Sequence, residues 1–186
     1  NEQFVRRIVE AQAGEGNVSI YPFSAGKSAN LPLLDFLAYH NRGMSLHVER
    51  LPDFRRLLVD YISTHSSLIL MDLKVHAAGG LNENIYPQRL LPHVYRGETL
   101  SLYGRFPPGT DEITLSVVGR QAEGKLMDLV VRKPVQECPR GTGEIAEDWA
   151  AQKVFHLIGQ QILVPSAENE RQIRSLADRY NLYVPY

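Results

Sequence analysis

Near Ser66 the spacing of apolar residues along the chain changes from a period of 3.6 to a period of 2, and beyond Pro134 it changes back. No other feature limits the fold as much. A period of 3.6 sets one stripe of a helix against a core, whereas a period of 2 sets one face of a strand there. The chain is therefore expected to hold three regions: a helix-and-strand portion over residues 1–64, a strand-rich portion over 65–137, and a linker with a helical tail over 138–186.

In the first region Phe4, Ile8 and Ala11, with Val5 and Val9 beside them, mark a helix that Gly14 and Gly16 end. NVSIYPF, with Val18, Ile20 and Tyr21, predicts a strand. Leu33, Leu34, Leu37 and Ala38 share a helix face that closes at Gly43. Met44, Leu46 and Val48 alternate as a second strand, and Pro52 opens a helix carrying Phe54, Leu57, Leu58 and Tyr61. That order implies two parallel strands joined by crossovers. All-parallel sheets are normally larger and covered on both faces, so the region reads as the end of a larger α/β domain. The opening NEQFVRRIVEAQ points the same way, as a helix already under way with no initiator methionine. A strand that has lost its inner neighbour would leave an unpaired edge near residues 18–23, open to a second copy or another chain.

In the second region SSLILMDLKVHA sets Ile69, Met71, Leu73 and Val75 against Asp72, Lys74 and His76. Leu100 and Leu102, then Ile113, Leu115 and Val117, then Met127, Leu129 and Val131 continue the inward set. Ala78-Gly79-Gly80, Arg96-Gly97-Glu98, Pro107-Pro108-Gly109 and Glu123-Gly124 supply the turns, and the whole predicts an antiparallel β-sandwich. In the tail, Ile145 and Trp149, then Ala150, Val154 and Leu157, form a helix stripe that Pro165 ends. Ser166 caps a last helix with Glu168 and Glu170 at its start and Ile173, Leu176, Ala177 and Tyr180 inside. Asn181 suits the left-handed closing position, and LYVPY leaves extended.

YPFSAGKSANLP tests a nucleotide-binding reading. A phosphate-binding loop needs a glycine five residues before its Gly-Lys-Ser, but ahead of Gly26-Lys27-Ser28 that position holds Tyr21. Pro32 instead fits the first turn of a helix capped by Ser28 or Asn30, so a glycine turn between strand and helix is favoured.

With 44% hydrophobic and 22% charged residues the composition is that of a globular protein, and a net charge of −1 with no basic block argues against a nucleic-acid surface. No apolar run approaches a membrane span, and the lone Cys138 excludes an intrachain disulfide.

In order, VSIYPFSAG, LLDFLAYHNRGMSLHV and PDFRRLLVDYIS, then DLKVHAAGG, IYPQRLLPHVYRGETLSLYGRF, DWAAQKVFHLI and LADRYNLYVPY, resemble the C-terminal part of a von Willebrand factor A domain. The later segments resemble the region that follows it in bacterial proteins with a VIT domain, a layout similar to the inter-alpha-trypsin inhibitor heavy chains. Asn181 departs from the glycine common there. The resemblance covers essentially the whole chain and implies an extracellular or cell-envelope setting. It also implies that the family's metal-ion-dependent adhesion site, an Asp-x-Ser-x-Ser loop with a Thr and an Asp from later loops, lies outside this chain. No such loop occurs here, so no metal residue is carried over.

No chemistry-bearing constellation stands out. His40, His47, His65, His76, His93 and His156 lack zinc-ligand spacing. Cys138 sits in a Gly/Pro linker, and Asp111-Glu112 and Glu147-Asp148 are adjacent pairs whose side chains diverge. Asn17-Val18-Ser19 is a formal glycosylation sequon, and Trp149 suits a core anchor. Catalytic, cofactor and metal residues are accordingly expected to be none, and no cofactor is expected. The leading expectation is a non-enzymatic protein-interaction or scaffold module with a protein partner. The alternatives are a substrate-binding accessory domain of an upstream hydrolase or transferase, and a metal-dependent adhesin completed by an upstream half.

Overall fold

The structure, a computed structural model, describes residues 3, 6–7, 19–78, 84–88 and 91–184. The strands are β1 Phe23–Ala25, β2 Leu46–Val48, β3 Leu68–Ala77, β4 Ile85–Tyr86, β5 Val94–Tyr95, β6 Tyr103–Gly104, β7 Glu112–Arg120 and β8 Leu126–Pro134. The helices are α1 Leu31–His40, α2 Phe54–His65, α3 Gly143–Leu163 and α4 Ala167–Tyr180. The opening helix expected from Phe4, Ile8 and Ala11 falls largely outside the described residues, as do Gly14 and Gly16.

β1 and β2 pair in parallel, Phe23 opposite Leu46 and Ala25 opposite Val48, with α1 as the crossover between them. β1 starts later than NVSIYPF suggested. Pro22 has no N–H to give, so only its carbonyl joins the ladder, accepting from Leu46 N at 2.9 Å. Upstream, Ile20 N is bonded to Asn41 O at 3.0 Å instead of to a strand. The parallel pattern turns the N–H and C=O of Phe23 and Ala25 away from β2. Asn30, not Ser28, caps α1: its Oδ1 accepts from Leu33 N at 3.2 Å, with Pro32 in the first turn. At the other end Arg42, not Gly43, takes the left-handed conformation with φ 53°.

The antiparallel sheet runs β5-β3-β7-β8, and β4 with β6 forms a separate two-stranded pair. A bulge between Met71 and Lys74, with Asp72 at φ 52°, breaks the alternation of β3. Leu68 and Leu70 are half-buried before it, and Leu73 and Ala77 are buried after it. Ile69, expected inside, is exposed because the extra residue reverses the phase of the strand.

β8 departs furthest from expectation. Met127, Leu129 and Val131 do share a face with Ile113, Leu115 and Val117, since Leu115 stands opposite Val131 and Val117 opposite Leu129. They are nevertheless exposed, because the packing over that face ends with Ala77, Ile85 and Leu102 against Ile113 and Leu115.

α3 joins the other parts. Its Val154, Leu157, Ile158 and Ile162 enclose Phe36 of α1 together with Ile173 of α4. One turn earlier, Trp149 and Ala150 pack on Tyr86 of β4, and Trp149 Nε1 donates to Asn84 O at 3.0 Å. Ile145, expected beside Trp149 in the stripe, is exposed in the first turn of α3, where its side chain lies against Gly141. Ser166 Oγ accepts from Glu168 N at 3.2 Å, and Asn181 closes α4 at φ 49°, both as expected. Among the described residues no helix is long and apolar enough to cross a membrane.

The contact between α1 and α3 carries a pH dependence. His40 Nε2 lies 2.9 Å from Phe155 O, and burial pushes the ring below the ordinary value of 6.5, partly offset by that bond. An unfolded chain then binds a proton on His40 below about pH 6.5 that the folded chain resists, so the unfolded state gains as pH falls. Stability should be level above pH 6.5 and decline below it. His40→Gln should flatten that limb in urea titrations, and an unchanged slope would refute the assignment.

Candidate functional site

Three places combine exposure or enclosure with unusual residues: the β7–β8 ribbon, the seam around Tyr21, and a trough beside Trp149. The ribbon ends in a hairpin in which Gln121 N donates to Lys125 O at 2.8 Å and Gly124 turns at φ 85°. At its far end Val135 N donates to Asp111 O, also at 2.8 Å. Both bonds lie in the register of the ladder, and hydrogen-bonded pairs alternate along an antiparallel pair. Met127, Leu129, Val131 and Lys133 therefore turn their backbone groups towards β7, whereas Leu126, Asp128, Val130 and Arg132 turn theirs to the free edge. Exposure is 69% at Leu126, 53% at Leu129 and 51% at Val130, so both faces of β8 are open, and among the described residues no strand pairs with its outer edge. A long apolar edge strand in this state is a template for pairing with another chain.

At the seam, Tyr21 OH donates to Tyr95 OH at 3.0 Å, joining the segment ahead of β1 to β5. The His65 ring lies 4.2 Å from Tyr21 and 4.3 Å from Tyr61, donates from Nδ1 to Tyr61 O at 2.7 Å, and places Nε2 3.3 Å from Glu98 Oε1. Burial drives the Tyr21 hydroxyl far up, and burial with the Glu98 charge pushes Tyr61 up to about 12. Both phenols stay protonated at neutral pH, as donors rather than nucleophiles. A second tie lies close by, where Arg42 Nη1 meets Asp72 Oδ1 at 3.1 Å across two left-handed residues. The seam joins the parallel pair to the antiparallel sheet.

The trough, about 780 Å³, is lined by Arg105, Phe106, Cys138, Arg140, Ile145 and Trp149, among others. The Arg105 guanidinium stacks 4.0 Å from the Trp149 ring centre and donates to Tyr180 OH at 2.7 Å. Lys153 lies 5.2 Å from the same ring, its ammonium pushed below the ordinary lysine value by burial and by Arg105.

The residues singled out in the sequence are scattered over the fold. Gly26 turns the chain after β1 at φ 86°, with Lys27 and Ser28 exposed beside it. His47 Nδ1 lies 2.9 Å from Ser24 Oγ, His76 is exposed on β3, and His156 faces Tyr86 at 5.4 Å. His93 precedes β5, its ring pushed down by burial and Arg42 against an opposing pull from Asp72. Cys138 Sγ donates to Pro134 O at 3.5 Å. Asp111, Glu112, Glu147 and Asp148 are exposed, Trp149 is buried, and Asn17 lies outside the described residues. Among the described residues no three His, Cys, Asp or Glu side chains gather as a metal site. The seam places His65 against the Glu98 carboxylate, and its partners come from remote points in the chain, so spacing gave no sign of it.

No protein-family model matches the chain, and no curated protein is significantly similar to it.

Proposed function

We propose that this chain is a non-enzymatic protein-interaction or scaffold module of a larger von Willebrand factor A-containing protein. In this reading β1, β2 and the helices around them form the end of the A domain, and the antiparallel strands form its following sandwich. The observation that carries the reading is β8, nine residues whose free edge and apolar faces are both open to solvent. Monomeric proteins generally blunt such an edge with charge, proline or a covering element. Here Arg132, Lys133 and Pro134 stand at one end and Asp128 near the other, but the centre is Leu129-Val130-Val131.

A photo-reactive leucine analogue at position 129, introduced in the source cell, should give crosslinks to protein. The same probe in place of the exposed Arg55 of α2 should give few. Loss of the 129 adducts in a Val131→Lys background is also expected. An absence of protein adducts at position 129 would overturn the reading.

The trough favours a second reading, the substrate-binding accessory domain. A cavity with an aromatic wall and two guanidinium groups suits an anionic small molecule, Arg105 and Arg140 supplying the charge.

A further inference from the structure

We infer that the free edge of β8 pairs with β8 of a second copy, antiparallel about a two-fold axis at Val130, so that two four-stranded sheets become one eight-stranded sheet. The inference rests on the interaction reading above and names the occupant of that edge.

The argument is one of register. β8 reads Leu126-Met127-Asp128-Leu129-Val130-Val131-Arg132-Lys133-Pro134. Reversed on itself about Val130, it sets Val130 opposite Val130 of the second copy, Asp128 opposite Arg132, and Leu129 opposite Val131. Each copy's acid then meets the other's base, giving two such pairs, and opposite charges directly across an antiparallel pair are favourable. A slip of two residues loses this match: centred on Leu129, Asp128 would face Val130 and Arg132 would face Leu126, and a slip of four, centred on Asp128, would set Asp128 against Asp128. Centred on Arg132, it would set Arg132 against Arg132.

Backbone polarity admits this centre and excludes any axis that falls between two residues, leaving the charge match to choose among the rest. Asp128, Val130 and Arg132 turn their N–H and C=O to the free edge. A two-fold axis at Val130 makes those three residues the hydrogen-bonded set on both copies, so their donors and acceptors all find partners. Pro134, the one residue of β8 without an N–H, falls at the end of the ladder opposite Leu126.

Side chains complete the match. Asp128, Val130 and Arg132 share one face, and Met127, Leu129 and Val131 share the other. The second face is the one on which Ile113, Leu115 and Val117 lie in β7, so its apolar surface would run uninterrupted from one copy into the next. Asp128 already accepts from Ser116 Oγ at 2.8 Å, which holds the carboxylate on the face of Val130 and Arg132 while leaving its second oxygen for Arg132. Symmetric pairing of this kind closes after two copies, because each copy has one β8 edge.

The test is sedimentation equilibrium of the 186-residue chain up to about 100 µM, with circular dichroism to confirm folding. The wild-type chain should dimerise. Arg132→Asp and Asp128→Arg should each weaken the dimer on the order of ten-fold or more, by setting like charges across the pair. The double variant D128R/R132D should restore it. Val130→Pro removes an N–H that β7 does not use and should give a folded monomer. A monomeric wild-type chain overturns the pairing, even if position 129 still crosslinks to some other protein. A dimer indifferent to the charge reversals also overturns it. Crosslinks that fail altogether at position 129 would overturn the broader interaction reading with it.

Discussion

Phe36→Ala should lower the unfolding free energy by about 3–5 kcal/mol, the usual cost of emptying a fully enclosed aromatic site. Phe36 is 0% exposed and sits where α1 meets α3, among Val154 at 1%, Ile158 at 0% and Leu157 at 5%. Its ring stands edge-on to Phe155 at 5.8 Å and lies 4.4 Å from His40, so truncation also removes two ring contacts. Collapse into the gap is hindered, because α3 is held on its other turns by Trp149 against Tyr86 and by Ile162 in the cluster with Ile173. A loss of that size is a large share of the 5–15 kcal/mol typical of a folded chain. Urea unfolding followed by circular dichroism measures it, with Val59→Ala as the control. Val59 is 58% exposed on α2, so its truncation should move the midpoint little. A loss below about 1 kcal/mol for Phe36→Ala would mean that α1 does not dock on α3 as described.

Features set by neighbouring residues were legible in the sequence. Asn30 with Pro32, Ser166 with Glu168, and Asn181 after Tyr180 each act within one helical turn, and each end stands where its chemistry put it. The parallel pairing of β1 with β2 was legible too, because a helix between two strands leaves few other arrangements.

What depends on remote partners was not. The phase of β3 reverses at Asp72, a change that hydropathy alternation does not register, since Leu68, Ile69, Leu70 and Met71 are all apolar and fit either phase ahead of it. Periodicity placed Met127, Leu129 and Val131 on the right face of β8, but a face is buried only if another element reaches it, and none of the described elements extends that far. The seam assembles Tyr21, Tyr61, His65, Tyr95 and Glu98 from positions up to 77 apart, with no spacing to announce it. Gly43 was legible as a special position, but for the wrong physical reason.

Gly43→Ala should cost about 3 kcal/mol or more, although Gly43 is not at positive φ. A methyl carbon there would lie 1.8 Å from the Ile20 carbonyl oxygen and 2.7 Å from its carbon, far inside contact distance. Both obstacles are backbone, so no rotamer change relieves them, and the segment 19–22 would have to withdraw from the turn after α1. That movement would strain three ties: Ile20 N to Asn41 O at 3.0 Å, Gly43 N to Ala38 O at 3.0 Å, and Tyr21 OH to Tyr95 OH at 3.0 Å. The comparison that isolates steric closeness from backbone preference is Gly26→Ala. Gly26 stands at φ 86° with open space around it, so its replacement meets only the left-handed penalty of about 1–2 kcal/mol. Gly43→Ala should therefore be the worse of the two by urea unfolding. It should also loosen the seam, seen as faster hydrogen exchange at Ile20 and Tyr95, which Gly26→Ala should leave alone. Equal losses, or an unaffected seam, would show that the chain does not pass so close to Gly43.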